Sequence, residues 1–112
     1  MTPRTRTLRI YETSGGSCPF ILWIEGLKNL QTRAVVFARL ERVKLGLLGD
    51  CKAVGDGVQE LRIDVGPGYR VYFGQDGATT VILLTGGDKA TQKKDVATAK
   101  MYWQEYRSRK NA

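Results

Sequence analysis

Four residues near the middle of the chain carry side chains that can act together chemically: Glu60, Arg62, Arg70 and Tyr72. They fall in two runs of alternating polarity. In Val58 to Val65, Leu61, Ile63 and Val65 point one way and Glu60, Arg62 and Asp64 the other; in Tyr69 to Gly74, Val71 and Phe73 oppose Arg70 and Tyr72. A period of two is that of a strand with one buried face, and Gly66-Pro67-Gly68 between the runs is a tight turn. Cross-strand neighbours sit about 5 Å apart, so the spacing predicts a face, opposite the core, that carries two guanidinium groups, a carboxylate and a phenol. Guanidinium suits phosphate because its forked donors match the oxygens and its charge persists at any working pH. A simpler arrangement uses the same residues, with Glu60 bridged to Arg62 or Arg70 and nothing more. Lys52 and Lys89, beside glycines at opposite ends of the strand block, are placed to reach the rim of that face.

Several other chemistries are closed. The chain has no histidine, which removes Ser-His-Asp, Cys-His and two-histidine metal schemes. Cys18 and Cys51 form no C-x-x-C pair and are read as reduced, structural thiols. Gly66-x-Gly68 meets Val71, and Gly55-x-Gly57 meets Glu60, where a dinucleotide fingerprint has its third glycine. Gly87-Asp88-Lys89-Ala90-Thr91 lacks the spacing of a P-loop. The expectation is a protein that uses no metal and no nucleotide cofactor. The aromatics Tyr11, Tyr69, Tyr102, Trp23 and Trp103 are able to stack on bases, but the spacing of Trp23 and Trp103 is that of core residues.

The chain has 112 residues and a net charge of +7, one domain's length with the basic excess that fits a polyanionic partner. The excess lies in residues 28–52 and in the last quarter. Residues 53–88 are net acidic, and Arg62 and Arg70 are their two basic residues. No apolar run exceeds the five residues Phe20 to Ile24, far short of the ~20 of a membrane span. The polar, basic start with Arg4, Arg6 and Arg9 does not read as a secretory signal, so the protein is expected in the cytoplasm.

These residues must be positioned by regular elements. Thr7 to Glu12 alternates as a short strand. Phe20, Trp23, Ile24 and Leu27 recur at helical spacing, as do Val36, Leu40, Val43 and Leu47 within a second helix from about Gln31 to Leu48, with Asn29 at its start. A glycine-punctuated loop, Gly46 to Gly57, then carries Asp50, Cys51, Lys52 and Asp56. Three strands follow, the last from Thr79 to Leu84 and closed by Gly86 and Gly87, and a final helix from about Thr91 carries Val96, Ala99, Trp103 and Tyr106. The order strand-helix-helix-strand-strand-strand-helix predicts one α+β domain over residues 1–112, with its helices on one face of a mostly antiparallel sheet.

Three stretches together resemble a known family: Lys52-x-x-Gly55-x-Gly57-Val58-x-Glu60-Leu61-Arg62-Ile63; Gly66-Pro67-Gly68-Tyr69-Arg70-Val71-Tyr72-Phe73; and Leu83-Leu84-x-Gly86-Gly87-Asp88-Lys89-x-Thr91-Gln92-x-x-Asp95. The chain is similar to the addiction-module killer proteins of the RelE/ParE superfamily, in its HigB-like and phage Gp49-like branch, from about Thr7 to Tyr106. The resemblance implies a RelE-like α+β fold. It implies the toxin of a type II toxin-antitoxin module, a metal-independent endoribonuclease that cuts messenger RNA on the translating ribosome and is silenced by an antitoxin with a helix-turn-helix domain. Carried over residue by residue, the catalytic set is Lys52, Glu60, Arg62, Arg70 and Lys89. Arg62 and Arg70 would hold the scissile phosphate, Lys52 or Glu60 would take the 2′-hydroxyl proton, and Lys89 would neutralise backbone charge or protonate the leaving oxygen. A lysine base needs a lowered pKa, which crowded cations supply. Some relatives place a histidine here; this chain has none. Arg39, Arg42, Tyr69, Tyr72, Lys93 and Lys94 are expected to contact the RNA around that centre. ParE-like members of the superfamily instead poison DNA gyrase, and a non-enzymatic RNA-binding module would carry the same arginines; the basic loop and the arginine pair favour the nuclease.

Overall fold

Alternating polarity in the centre of the chain produces an antiparallel meander of four strands. The computed structural model describes residues 4–111. Its elements are β1 (Thr7–Ile10), α1 (Pro19–Gly26), α2 (Leu30–Lys44), β2 (Cys51–Gly55), β3 (Val58–Ile63), β4 (Tyr69–Asp76), β5 (Thr80–Asp88) and α3 (Gln92–Lys110), the last entered through a single 3₁₀ turn at Lys89–Thr91. The five strands form one sheet in the order β1-β5-β4-β3-β2, antiparallel except for the parallel pairing of β1 with β5. This is an α+β architecture, with one more strand than the sequence reading counted.

The extra strand is β2, which replaces most of the expected glycine loop. Asp56 and Gly57 both have positive φ, as a two-residue hairpin turn requires, and Asp-Gly is a favoured pair for it. The turn folds Cys51 and Lys52 back against Leu61 and Glu60, so Lys52 stands on a strand and not on a loop. Strand β5 also runs further than expected, through Gly86 and Gly87 to Asp88. Those glycines do not end the strand; they make room above it. A Cβ at Gly86 would strike the Trp23 ring, and one at Gly87 the Asp95 carboxylate. Helix α2 stops at Lys44, earlier than expected, while its start is capped as expected by the Asn29 side chain, which accepts from the Gln31 and Thr32 amides.

Both faces of the sheet are covered, which corrects the expectation of helices on one face. Phe20 and Ile24 of α1 and Val36, Leu40 and Val43 of α2 pack on Leu61, Ile63, Val71, Phe73, Val81 and Leu83. On the other face Ala99 and Trp103 of α3 join Tyr11, Val58, Tyr72, Ile82 and Leu84. The Trp103 ring lies on the backbone of Gly74, where a side chain would leave it no room. Polar contacts fasten the end of α3: the Tyr106 hydroxyl donates to Asp76 (2.6 Å), Lys110 pairs with the same carboxylate, and the Tyr11 hydroxyl donates to Glu105 (2.5 Å). No helix among the described residues is long and apolar enough to cross a membrane.

Candidate functional site

Register places the charged residues of the central hairpin together. Arg62 pairs with Arg70 and Glu60 with Tyr72 across β3 and β4, and Lys52 pairs with Glu60 across β2 and β3. All of them belong to the sheet face that α3 covers, so this face is not the open polar surface expected from sequence. Glu60 is fully buried at 0% exposure, Tyr72 likewise, and Arg70 retains 9%.

The buried carboxylate is surrounded by donors. Glu60 Oε1 accepts from Arg62 Nε at 3.0 Å and lies 3.6 Å from Arg70 Nε; Oε2 accepts from the Tyr72 hydroxyl at 3.1 Å and from Gln92 Nε2 at 2.9 Å. Burial works to raise the Glu60 pKa, but hydrogen bonds from Gln92, Arg62 and Tyr72 and the charge of Arg70 outweigh it and hold the carboxyl below its ordinary value. A carboxylate so held stays ionised and is a weak base. This disfavours Glu60 as the group that takes a ribose proton and makes it the anchor of two guanidinium groups. Burial and the neighbouring Glu60 charge push the Tyr72 phenol the other way, to a strongly raised pKa. Tyr72 is therefore corrected from an RNA contact to a buried donor.

Arg62, with 36% of its side chain exposed, and Arg70, whose Nη1 also donates to the Gly68 carbonyl at 3.1 Å, open onto a pocket of about 260 Å³. Lys89, Tyr69, Asp50 and Asp64 complete its wall. The structure thus brings Arg62, Arg70 and Lys89 together. Lys52 is exposed one strand away, on the outer side of Glu60, and does not line this pocket. Lys93 and Lys94 are exposed in the first turn of α3, also outside it. The ring of Tyr69 meets Trp23 edge-on, with centroids 6.2 Å apart. Arg39 and Arg42 lie on α2 and line an adjoining pocket. A larger cavity, about 650 Å³ along the outer side of α3, gathers an Asp56 to Lys100 pair at 3.8 Å with Gln104, Arg107 and Asn111, and holds none of the residues singled out from the sequence as site residues.

Gln92 was missed as a site residue by sequence reasoning. Its signal was its place in the first turn after Asp88, whose carboxylate caps that turn by accepting from the Ala90 and Thr91 amides. The arrangement holds two guanidinium groups and an ammonium around one cleft, with Asp50 and Asp64 in the same wall and Glu60 behind the arginines.

Comparison with known proteins agrees with the motifs. A family model described as phage-derived protein Gp49-like (DUF891) matches residues 23–104. An uncharacterized protein of Haemophilus influenzae is 51% identical over 86 residues, which cover 77% of this chain and 87% of that protein.

Proposed function

The chain belongs to the phage-derived Gp49-like family, which is associated with toxin-antitoxin modules, and on that premise we propose that it is the toxin of such a pair, a ribosome-dependent endoribonuclease that cuts messenger RNA. The observation that carries this reading is the buried Glu60 carboxylate, which fixes Arg62 and Arg70 at the wall of a pocket that Lys89 shares.

In the proposed reaction the 2′-oxygen of the substrate ribose attacks the adjacent phosphorus as its proton leaves. The bond to the 5′-oxygen of the next nucleotide breaks, and that oxygen takes up a proton. The products are a 2′,3′-cyclic phosphate and a 5′-hydroxyl. Arg62 and Arg70 grip the non-bridging oxygens and stabilise the extra negative charge of the five-coordinate state. Glu60 is the positioning group that aims them. With Glu60 engaged and Lys52 one strand outside the pocket, Lys52 would take the 2′-hydroxyl proton only through a bridging water, and Lys89 is the candidate donor to the leaving oxygen. The partner is an antitoxin with a helix-turn-helix domain, and the ribosome presents the message. The protein acts in the cytoplasm.

The test is controlled expression in a bacterial host, with the 5′ ends of cellular messages mapped within minutes and Arg62→Ala alongside. New internal ends inside translated frames, absent in the variant, support the reading. Growth arrest with intact messages and broken chromosomes would replace it with gyrase poisoning. RNA binding without any cleavage would reduce it to a binding module.

A further inference from the structure

A second pocket, about 450 Å³, adjoins the first and shares Asp50, Arg62, Ile63 and Asp64 with it; its far wall is α2, with Val35, Arg39 and Arg42. One groove therefore runs from Lys89 past Arg70 and Arg62 to Arg39 and Arg42, and three carboxylates, Asp50 and Asp64 in its wall and the buried Glu60 behind Arg62 and Arg70, stand against these five cations. Among the described residues no ion pair includes Arg39 or Arg42. The Arg39 guanidinium is pressed against Gly49, a position of φ +62° where a Cβ would crowd its Nη2. It makes one long hydrogen bond, Nη2 to the Asp50 carbonyl at 3.4 Å, while its Nη1 is closed off from solvent with no hydrogen-bond partner. Burial first, and the like charge of Arg42 second, lower the Arg39 pKa. The fold thus holds two arginines side by side in the wall of a pocket that also carries Arg62.

We propose that the groove between α2 and β3 is a second phosphate subsite, so that the ligand is a single RNA strand with one phosphate at Arg62 and Arg70 and a neighbouring one at Arg39 and Arg42. The proposal rests on the reading of the first pocket as the scissile-phosphate site. Forked guanidinium donors at both subsites fit the oxygens of successive phosphates. The apolar side chains of Val35 and Ile63 in the second pocket offer a surface to the sugar between them. Because the two phosphates belong to one strand, occupation of the first raises the effective concentration of the second at its subsite. Strand length, and not base identity, is what this groove reads.

The experiment uses the purified full chain and fluorescent RNA probes with 2′-O-methyl riboses, which keep their phosphates and resist cleavage. One probe is a dinucleotide with a single backbone phosphate, the other a tetranucleotide. Wild type is expected to bind the tetranucleotide at least about tenfold more tightly. In Arg42→Ala, and in Arg39→Lys, which keeps the charge and loses the fork, that length advantage shrinks several-fold while dinucleotide affinity stays. Arg62→Ala weakens both probes. Arg42 is exposed, so its variant keeps the test valid even where a change at Arg39 disturbs folding. A length advantage that survives in both α2 variants, or is absent from wild type, overturns the second subsite. If Arg62→Ala leaves both affinities untouched, the first pocket's reading fails, and the two-phosphate span with it. Cleavage enters neither outcome.

Discussion

Glu60 gathers Arg62, Arg70, Tyr72 and Gln92 around one carboxylate, and its ionisation is therefore coupled to folding. Its folded pKa is depressed, so its contribution to stability is present above the unfolded value, roughly 4.3, and is lost as pH falls through the folded one. Denaturant melts between pH 3 and 7 are expected to show stability falling below about pH 4.3 in wild type, with a shallower fall in Glu60→Gln. The two arginines differ as test positions. Arg62→Ala removes a partly exposed partner and leaves Glu60 the hydrogen bonds from Tyr72 and Gln92 and the charge of Arg70; it should lower cleavage about a hundredfold or more while stability in a denaturant melt changes less than in the next variant. Arg70→Ala strips a buried partner from a buried carboxylate and should cost about 1–3 kcal/mol in the same melts. Alternation in the sequence was enough to put Glu60, Arg62, Arg70 and Tyr72 on one face. The burial of Glu60, Arg70 and Tyr72 was not legible, because a strand's period says which residues share a face and not what later covers it.

Helix α3 is that cover, and its fit depends on glycines that no local pattern explains. Gly74 lies under Trp103, 29 residues on, and Gly87 under Asp95, across the turn that joins β5 to α3. Gly87→Ala is expected to push the first turn of α3 away from the sheet and with it the Gln92 donor, seen as lost thermal stability and faster amide exchange across residues 89–95. Trp103→Ala, at the far part of the same face, should cost about 3–5 kcal/mol in a denaturant melt. The elements with strong periodicity, α1, α2, β3 and β4, were readable. Strand β2 was not: Cys51-Lys52-Ala53-Val54 is short, framed by glycines and of weak strand propensity, and it is a strand because β3 offers it hydrogen bonds. Gly86 and Gly87 read as a stop for the converse reason, since the need for close approach by Trp23 and Asp95 exists in three dimensions alone.

Across the whole molecule, charge is sorted by the fold more sharply than by the sequence. Arginines from the basic segment 28–52 meet the pair from the acidic segment 53–88, and Lys89 from the basic tail joins them. RNA affinity measured from 50 to 300 mM salt should therefore fall with a log-log slope of about −1.4 to −2, what two or three phosphate contacts give on a single strand. The sheet's connectivity has a further consequence for how the protein comes into being. Strand β1 at residues 7–10 pairs with β5 at residues 80–83, so the first strand made is docked after nearly all the others exist, and this long closure slows folding. Gln92 emerges from synthesis later still, and until it does Glu60 lacks one of its donors. The arginine cleft is therefore completed late in synthesis, and a nascent chain that ends before α3 carries the cleft's residues without their final support.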